Sequence, residues 1–301
     1  MKAKEDRRHR SPRVRRALEF LGFTMPAFLA VLAFVELPFL MSFGYSFTNW
    51  NGLDKVPQFV GLANYKALLL SDPDFLAAFG FTLLFTVIMV AATNAVALFL
   101  AVVLDGDVRG KNALRAAFFV PNIISLIVIG YVWRFIFSKG FDSLYAATHL
   151  AVFRLSWLGD PRLSFASVVF VSVWQAIGVY MVVYIAGLQT VPRDLMEAAV
   201  IDGAGRGARF FRITLPMILP SITICLFYSI SNSLKTFDVI FSLTFGGPGS
   251  STSSIALDIY KTAFGENRFG YGAAKSVALF VLILVVTVAQ LSILKRREVE
   301  A

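Results

Sequence analysis

Apolar residues in this chain come in long unbroken runs, with the charged residues gathered between them. Six runs are long enough for the ~20 helical residues that cross a bilayer core: Phe23–Phe47, Phe75–Leu104, Ala116–Phe137, Leu163–Leu188, Met217–Phe237 and Tyr271–Leu294. Strands of a barrel would be about half as long and would alternate in polarity. Backbone groups in lipid must also be satisfied internally, so each run predicts a helix. Two runs are less clean. The first carries Glu36 together with Pro26 and Pro38, and the fifth ends in polar residues. The expected fold class is an all-α membrane protein with six transmembrane helices. No linker or short repeat divides it, so residues 20–294 read as one membrane domain.

Charge then orients the spans. Residues 1–19 form a basic tail holding Lys2, Lys4, Arg7, Arg8, Arg10, Arg13, Arg15 and Arg16. The loop after the second run adds Arg109, Lys111 and Arg115, and the loop after the fourth adds Arg193, Arg206, Arg209 and Arg212. Residues 295–301 begin with Lys295, Arg296 and Arg297. All four segments fall on one side of a six-span chain, and cytoplasmic loops are the ones that collect Lys and Arg, so both termini are expected in the cytoplasm. The same distribution accounts for the net charge of +9 without a nucleic-acid partner. The first run is too long for a cleaved signal peptide and has no clear small-x-small site. Only 16% of the 301 residues are charged, against roughly a quarter in soluble domains. One cysteine, Cys225, and two distant histidines, His9 and His149, offer neither a disulfide framework nor a metal site.

The informative loop spans residues 190–216, between the fourth and fifth runs. Pro192 suits a first helical position, and Asp194 and Glu197 complement the positive end of a helix dipole. Gly203, Gly205 and Gly207 then break the helix and permit a turn before a second short helix. Short helices are marginal by themselves, so a structured pair in a loop needs something to pack against. Glu197-Ala198-Ala199 is followed by three residues, Gly203, nine residues, Ile213, one residue, and Leu215-Pro216.

That spacing resembles the EAA loop of ABC importer permeases at every position. Nearly the whole chain after the basic tail is similar to the carbohydrate branch of that family, of the maltose and glycerol-3-phosphate type. The supporting segments are Gly61-Leu62-Ala63-Asn64-Tyr65, Phe118-Phe119-Val120-Pro121, Trp174, Leu188-Gln189-Thr190-Val191-Pro192 and Leu243-Thr244-Phe245-Gly246-Gly247-Pro248. The resemblance implies a type I (MetI-like) importer transmembrane domain, multi-pass in a prokaryotic plasma (inner) membrane. It implies that Glu197, Ala198, Ala199, Asp202, Gly203 and Gly205 couple the chain to an ATPase. The implied partners are an ATPase dimer, a second homologous permease completing a heterodimer, and an extracytoplasmic sugar-binding protein. ATP and magnesium would sit on the ATPase, with no cofactor on this chain. The implied cargo is a sugar, with a di- or oligosaccharide favoured and glycerol-3-phosphate or another polyol or sugar derivative as the alternative. The extra N-terminal spans and large outer domain of some maltose-type members are not expected from this sequence.

Two glycine-rich segments imitate nucleotide sites and fail on context. The stretch Gly106 to Asn112 is one residue short of a phosphate loop and has Asn112 where magnesium needs Ser or Thr. The stretch Gly203 to Ala208 follows a helix, whereas a dinucleotide fingerprint follows a strand. The chain is therefore expected to be no enzyme. Polar residues within membrane spans are the remaining site candidates. Ser229, Asn232, Ser233 and Thr236 follow i, i+3, i+4, i+7 and so share one helical face, either lining a path or bonding helices together. By resemblance, the corresponding span of the maltose-type permease supplies sugar contacts there. Lys235 departs from a neutral sugar pocket. Trp174 and Tyr180 could stack on a sugar ring or simply pack. A stand-alone secondary transporter is the more distant alternative, and it would need internal repeats and ionisable coupling residues at mid-membrane.

Overall fold

The computed structural model describes residues 12–294, and residues 1–11 and 295–301 of the two expected tails lie outside it. Among the described residues the chain is helical, with one isolated bridge between Thr48 and Phe59. Four helices cross as single pieces: Glu19–Tyr45, Pro73–Asp105, Pro161–Leu188 and Phe269–Ser292. Two more spans are bent pairs, Lys111–Ile123 with Leu126–Thr148 at 98° and Arg206–Met217 with Leu219–Leu234 at 69°.

The two bends revise the straight helices expected for the third and fifth runs. Pro121 lies inside the helix that ends at Ile123, and Ile124 and Ser125 adopt extended ψ angles of 138° and 132°. A proline cannot donate its helical hydrogen bond and crowds the preceding turn, which concentrates a kink nearby. The fifth span breaks at Ile218 (φ −91°, ψ 11°), between Pro216 and Pro220. Its first half begins at Arg206, well inside the segment read from sequence as loop. Its second half ends at Leu234, three residues short of the expected Phe237, and the chain turns into the short helix Asp238–Leu243.

Span ends follow local chemistry. Asp72 caps the second span by accepting from Phe75 N at 2.9 Å, with Pro73 at the first helical position. Asp160 caps the fourth by accepting from Arg162 N (2.9 Å) and Leu163 N (3.0 Å), followed by Pro161. Both pair an acceptor for orphan helix donors with a residue whose missing N–H costs nothing there. At the opposite end of the second span, Arg115 donates to Leu104 O at 2.6 Å and Lys111 to Gly106 O at 3.2 Å.

One end of the bundle, the hairpin end, carries residues 46–72, 149–160 and 235–268; the opposite, motif end carries 106–110 and 189–205. At the hairpin end Asn64 Nδ2 donates to both Ser46 O and Thr48 O at 2.8 Å, and Tyr65 OH donates to Ser46 Oγ at 2.6 Å. The Gly-Leu-Ala-Asn-Tyr segment is thus a clamp on the end of the first span. Inside, the second span packs along the fourth, with Phe81, Phe85, Val168 and Val171 in one cluster and Ala97, Ala101, Met181 and Tyr184 in another. The first span, Glu36 included, has no buried residue and is exposed except at Ser42 and Tyr45, which are half-buried.

Close helix crossings depend on two glycines. A Cβ on Gly178 would run into the Phe118 carbonyl oxygen and lie 2.6 Å from Phe119 Cα, both backbone atoms. A Cβ on Gly130 would lie 2.8 Å from Ser242 Cβ. Without a hydrophobic drive between helices in lipid, such small-residue contacts are what let spans associate. Gly178→Ala should therefore push the third and fourth spans apart and cost about 1–3 kcal/mol. A lower melting temperature of the purified protein in detergent is the expected reading, and an unchanged one would show that the crossing relaxes freely.

Candidate functional site

A cavity of about 290 Å³ lies in the middle of the bundle, between the second, third, fourth and fifth spans. The fifth span contributes Ser229, Asn232 and Ser233, and Lys235, Thr236 and Asp238 follow where that helix gives out. The fourth contributes Ser172, Gln175 and Tyr180, and the third contributes Asn122 beside its bend. Phe85, Tyr228 and Phe237 supply apolar wall.

All four members of the polar stripe border this space, but not in one way. Ser229 is 2% exposed and accepts from Asn94 Nδ2 at 3.0 Å, while Tyr184 OH donates to Asn94 Oδ1 at 2.6 Å. That chain of bonds ties the second, fourth and fifth spans together. Ser233 is 4% exposed and donates to Ser229 O at 2.7 Å. Asn232 is exposed, and Thr236 lies past the last helical turn, where its carbonyl accepts from Ser254 Oγ at 2.7 Å. One stripe therefore combines bonding between helices, through Ser229, with an open face, through Asn232, while Ser233 bonds within its own helix. Tyr180 borders the cavity. Trp174 does not; it packs edge-to-face on Trp133 with ring centroids 5.5 Å apart.

At the motif end the helix Arg193–Ile201 closes with paired bonds, Gly203 N to Val200 O at 3.0 Å and Ala204 N to Ala199 O at 2.8 Å. This termination places one residue in the left-handed region, and Gly203 takes it with φ +74°. Asp202 caps that helix, and Gly205 precedes the helix starting at Arg206. Glu197, Ala198, Asp202, Gly203 and Gly205 are exposed, with Ala199 half-buried. So are Leu195, Val200, Ile201 and Phe211, with Ile201 85% exposed. A crevice of about 790 Å³ lies behind the helix, between Arg193, Met196 and Glu197 on one side and Asp105 and Lys111 on the other.

The hairpin end holds a group of charges that the sequence reading passed over. Lys275, 3% exposed in the sixth span, lies 2.7 Å from Asp258 Oδ2 and 2.9 Å from Asp72 Oδ2, and donates to Thr262 Oγ1 at 2.9 Å. Tyr271 OH also donates to Asp72, at 2.8 Å. Burial works against the charge on Asp72, but the Phe75 N–H and the Lys275 and Tyr271 donors outweigh it and hold the carboxyl below its ordinary 3.8. Burial dominates at Asp258 and pushes it above that value despite Lys275. With Ile255 N donating to Thr82 Oγ1 at 3.0 Å, these bonds fasten the helix Ile255–Tyr260 to the second and sixth spans. A lysine in an apolar span was the available signal, since an intramembrane charge needs a partner. Asn94 and Gln175 carried the same kind of signal.

Residues 97–299 match the family described as "Binding-protein-dependent transport system inner membrane component". A probable starch degradation products transport permease of Thermoanaerobacterium thermosulfurigenes is 39% identical over 278 residues, covering 92% of this chain and 94% of the relative. A multiple sugar-binding transport permease of Streptococcus mutans is 34% identical over 284 residues, covering 93% and 97%. Among solved structures, a bacterial ABC transporter involved in alginate import superposes with a TM-score of 0.80 at 20% identity, covering 94% of this chain and 97% of that one.

Proposed function

Because the chain belongs to the inner membrane component family of binding-protein-dependent transport systems, we propose that it forms half of the path of an ATP-driven sugar importer. Its cargo is a di- or oligosaccharide, a reading supported by relatives named for starch degradation products and multiple sugars. The protein is a multi-pass membrane permease; ATP hydrolysis belongs to a partner, and an external binding protein delivers the sugar. A second permease half completes the path, a reading supported by Asn232 and Lys235, which border the cavity and are exposed in this chain.

The observation that carries the reading is the motif-end helix. Leu195, Val200 and Ile201 are exposed at the end of the bundle, beside exposed Glu197. Short helices of nine residues are marginal without tertiary packing, and exposed apolar residues rimmed by polar ones mark docking surfaces. A dimeric ATPase seated there receives the helix as a lever. The test is to purify the tagged chain from a host expressing its operon and ask whether an ATPase comes with it in stoichiometric amount. Loss of that ATPase on replacing Glu197 by Lys and Ile201 by Asp is the expected outcome. Retention in full would remove the docking surface from this helix.

The same reading places the motif end in the cytoplasm and the hairpin end outside, in agreement with the Lys and Arg distribution. A reporter active only outside the cytoplasm should work near Gly249 and stay silent at the C-terminus. The reverse pattern would overturn both the orientation and the ATPase assignment.

A further inference from the structure

The crevice at the motif end gathers six charged side chains that do not pair with one another. Lys111, Arg193, Arg206 and Arg209 border it together with Asp105 and Glu197, around a volume of about 790 Å³. None of the six is in an ion pair among the described residues. Lys111 Nζ donates only to the Gly106 carbonyl, at 3.2 Å. Arg209 Nε is buried and has no hydrogen-bond partner among those residues. Buried donors are nearly always paired, and an arginine cannot escape the cost by losing its proton.

The local structure explains why the charges converge. Arg193, Met196 and Glu197 stand at i, i+3 and i+4, so one face of the motif-end helix carries them. Arg206 and Arg209 are three apart at the start of the fifth span, again on one face. Asp105 ends the second span, Lys111 opens the third and Leu188 ends the fourth. The crevice therefore lies at the level where the spans leave the bilayer. Val102, Leu188, Val191 and Phe210 give it an apolar flank beside the cations.

A soluble anion would need the cations alone, whereas cations beside an apolar flank at the bilayer surface suit a lipid. We propose that this crevice binds the headgroup phosphate of an anionic phospholipid, which draws the motif-loop arginines and Lys111 onto one group. The planar fork of arginine meets two phosphate oxygens at once. Four cations against two carboxylates leave an excess of positive charge, which favours a net-negative headgroup over a zwitterionic one. In phosphatidylglycerol the headgroup hydroxyls are donors for Asp105 and Glu197. Basic pockets between spans on the cytoplasmic side are where anionic headgroups bind. The bound lipid braces the motif-end helix, nine residues with none buried, against the start of the third span.

This inference rests on the reading of the motif end as cytoplasmic, and the experiment separates the two because a nanodisc offers the same lipids to both ends. The importer, or the full-length chain where no ATPase accompanies it, is placed in phosphatidylcholine nanodiscs. Phosphatidylglycerol or phosphatidylethanolamine is titrated in, and lipid bound per chain is read by native mass spectrometry. The tightest site should prefer phosphatidylglycerol to both other lipids. Arg206→Gln with Arg209→Gln should weaken it roughly thirtyfold, from the usual contribution of two arginines to an anionic surface. Arg206→Lys with Arg209→Lys should keep part of the affinity, which separates lost charge from lost fold. Arg162→Gln, exposed at the hairpin end, should change nothing. Amide hydrogen exchange over Arg193–Ile201 should slow with phosphatidylglycerol in the parent but not in the glutamine variant.

No preference for phosphatidylglycerol, or one that survives the glutamine pair, would mean that water solvates these charges, and the inference falls. Inorganic phosphate that slows the same exchange as fully in plain phosphatidylcholine would assign the crevice to a soluble anion and also overturn it. Unchanged exchange with the lipid bound would remove the brace. Failure of an ATPase to accompany the chain bears on the importer reading alone.

Discussion

Replacing Lys275 by methionine is expected to destabilise the protein by about 3–5 kcal/mol, the usual consequence of removing one partner from a buried ion pair. The size follows from what is left behind. Asp258 and Asp72 are 10% and 14% exposed at the side chain, and both point at the vacated position. They do not lose equally. Asp72 keeps the Tyr271 hydroxyl at 2.8 Å and the Phe75 N–H at 2.9 Å, whereas Lys275 is the only hydrogen-bond partner of the Asp258 side chain among the described residues. Neutralising Asp258 in the Lys275→Met background should therefore recover more stability than neutralising Asp72. Thermal unfolding of the purified importer in detergent, run on Lys275→Met and on its combinations with Asp258→Asn and Asp72→Asn, reads this order directly. Equal rescue by both, or a single variant as stable as the parent, would mean the charges are hydrated and the pair matters little. Asp72→Asn alone should also weaken the cap of the second span, because an uncharged acceptor binds the helix donors less strongly.

Gly203→Val is expected to abolish most transport while leaving insertion in the membrane intact. No side chain or backbone lies within 4 Å of the position where a Cβ would sit, so the substitution meets no clash. What it meets is the backbone: φ is +74°, a conformation costing an L-residue roughly 1–2 kcal/mol, and more for a β-branched side chain. The cheapest relief is to undo the turn that joins the helix Arg193–Ile201 to the helix beginning at Arg206. The global fold survives this, since the loop lies at the bundle's end, but the helix no longer stands at a fixed angle to the fifth span. In the importer, ATP hydrolysis should persist while uptake falls about tenfold or more. Gly203→Asn should be milder, because asparagine tolerates the left-handed region. Normal uptake by Gly203→Val would show that the turn's geometry does not transmit the ATPase stroke.

The sequence by itself determined that this is a helical membrane protein, how many spans it has and roughly where they lie, because continuous apolar runs of bilayer length have no other stable solution. It also determined the turn at Gly203, because a helix stop is written in residues close together in the chain. What the tertiary structure decided is everything set by contacts distant in the chain. The bends at Ile124 and Ile218 were signalled only as Pro121, Pro216 and Pro220, and a proline marks a place without giving an angle. The stripe Ser229–Asn232–Ser233–Thr236 was visible as a helical face, but its division between Asn94 on one side and the cavity on the other depends on where the second span runs. Lys275 was equally visible as a misplaced charge, yet its partners Asp72 and Asp258 come from two other elements, and only the packed fold brings two carboxylates within 3 Å of one nitrogen. Local rules fix helices and their ends because neighbours in sequence are neighbours in space. A binding wall or a buried ion group is made of residues that meet only after the spans have packed.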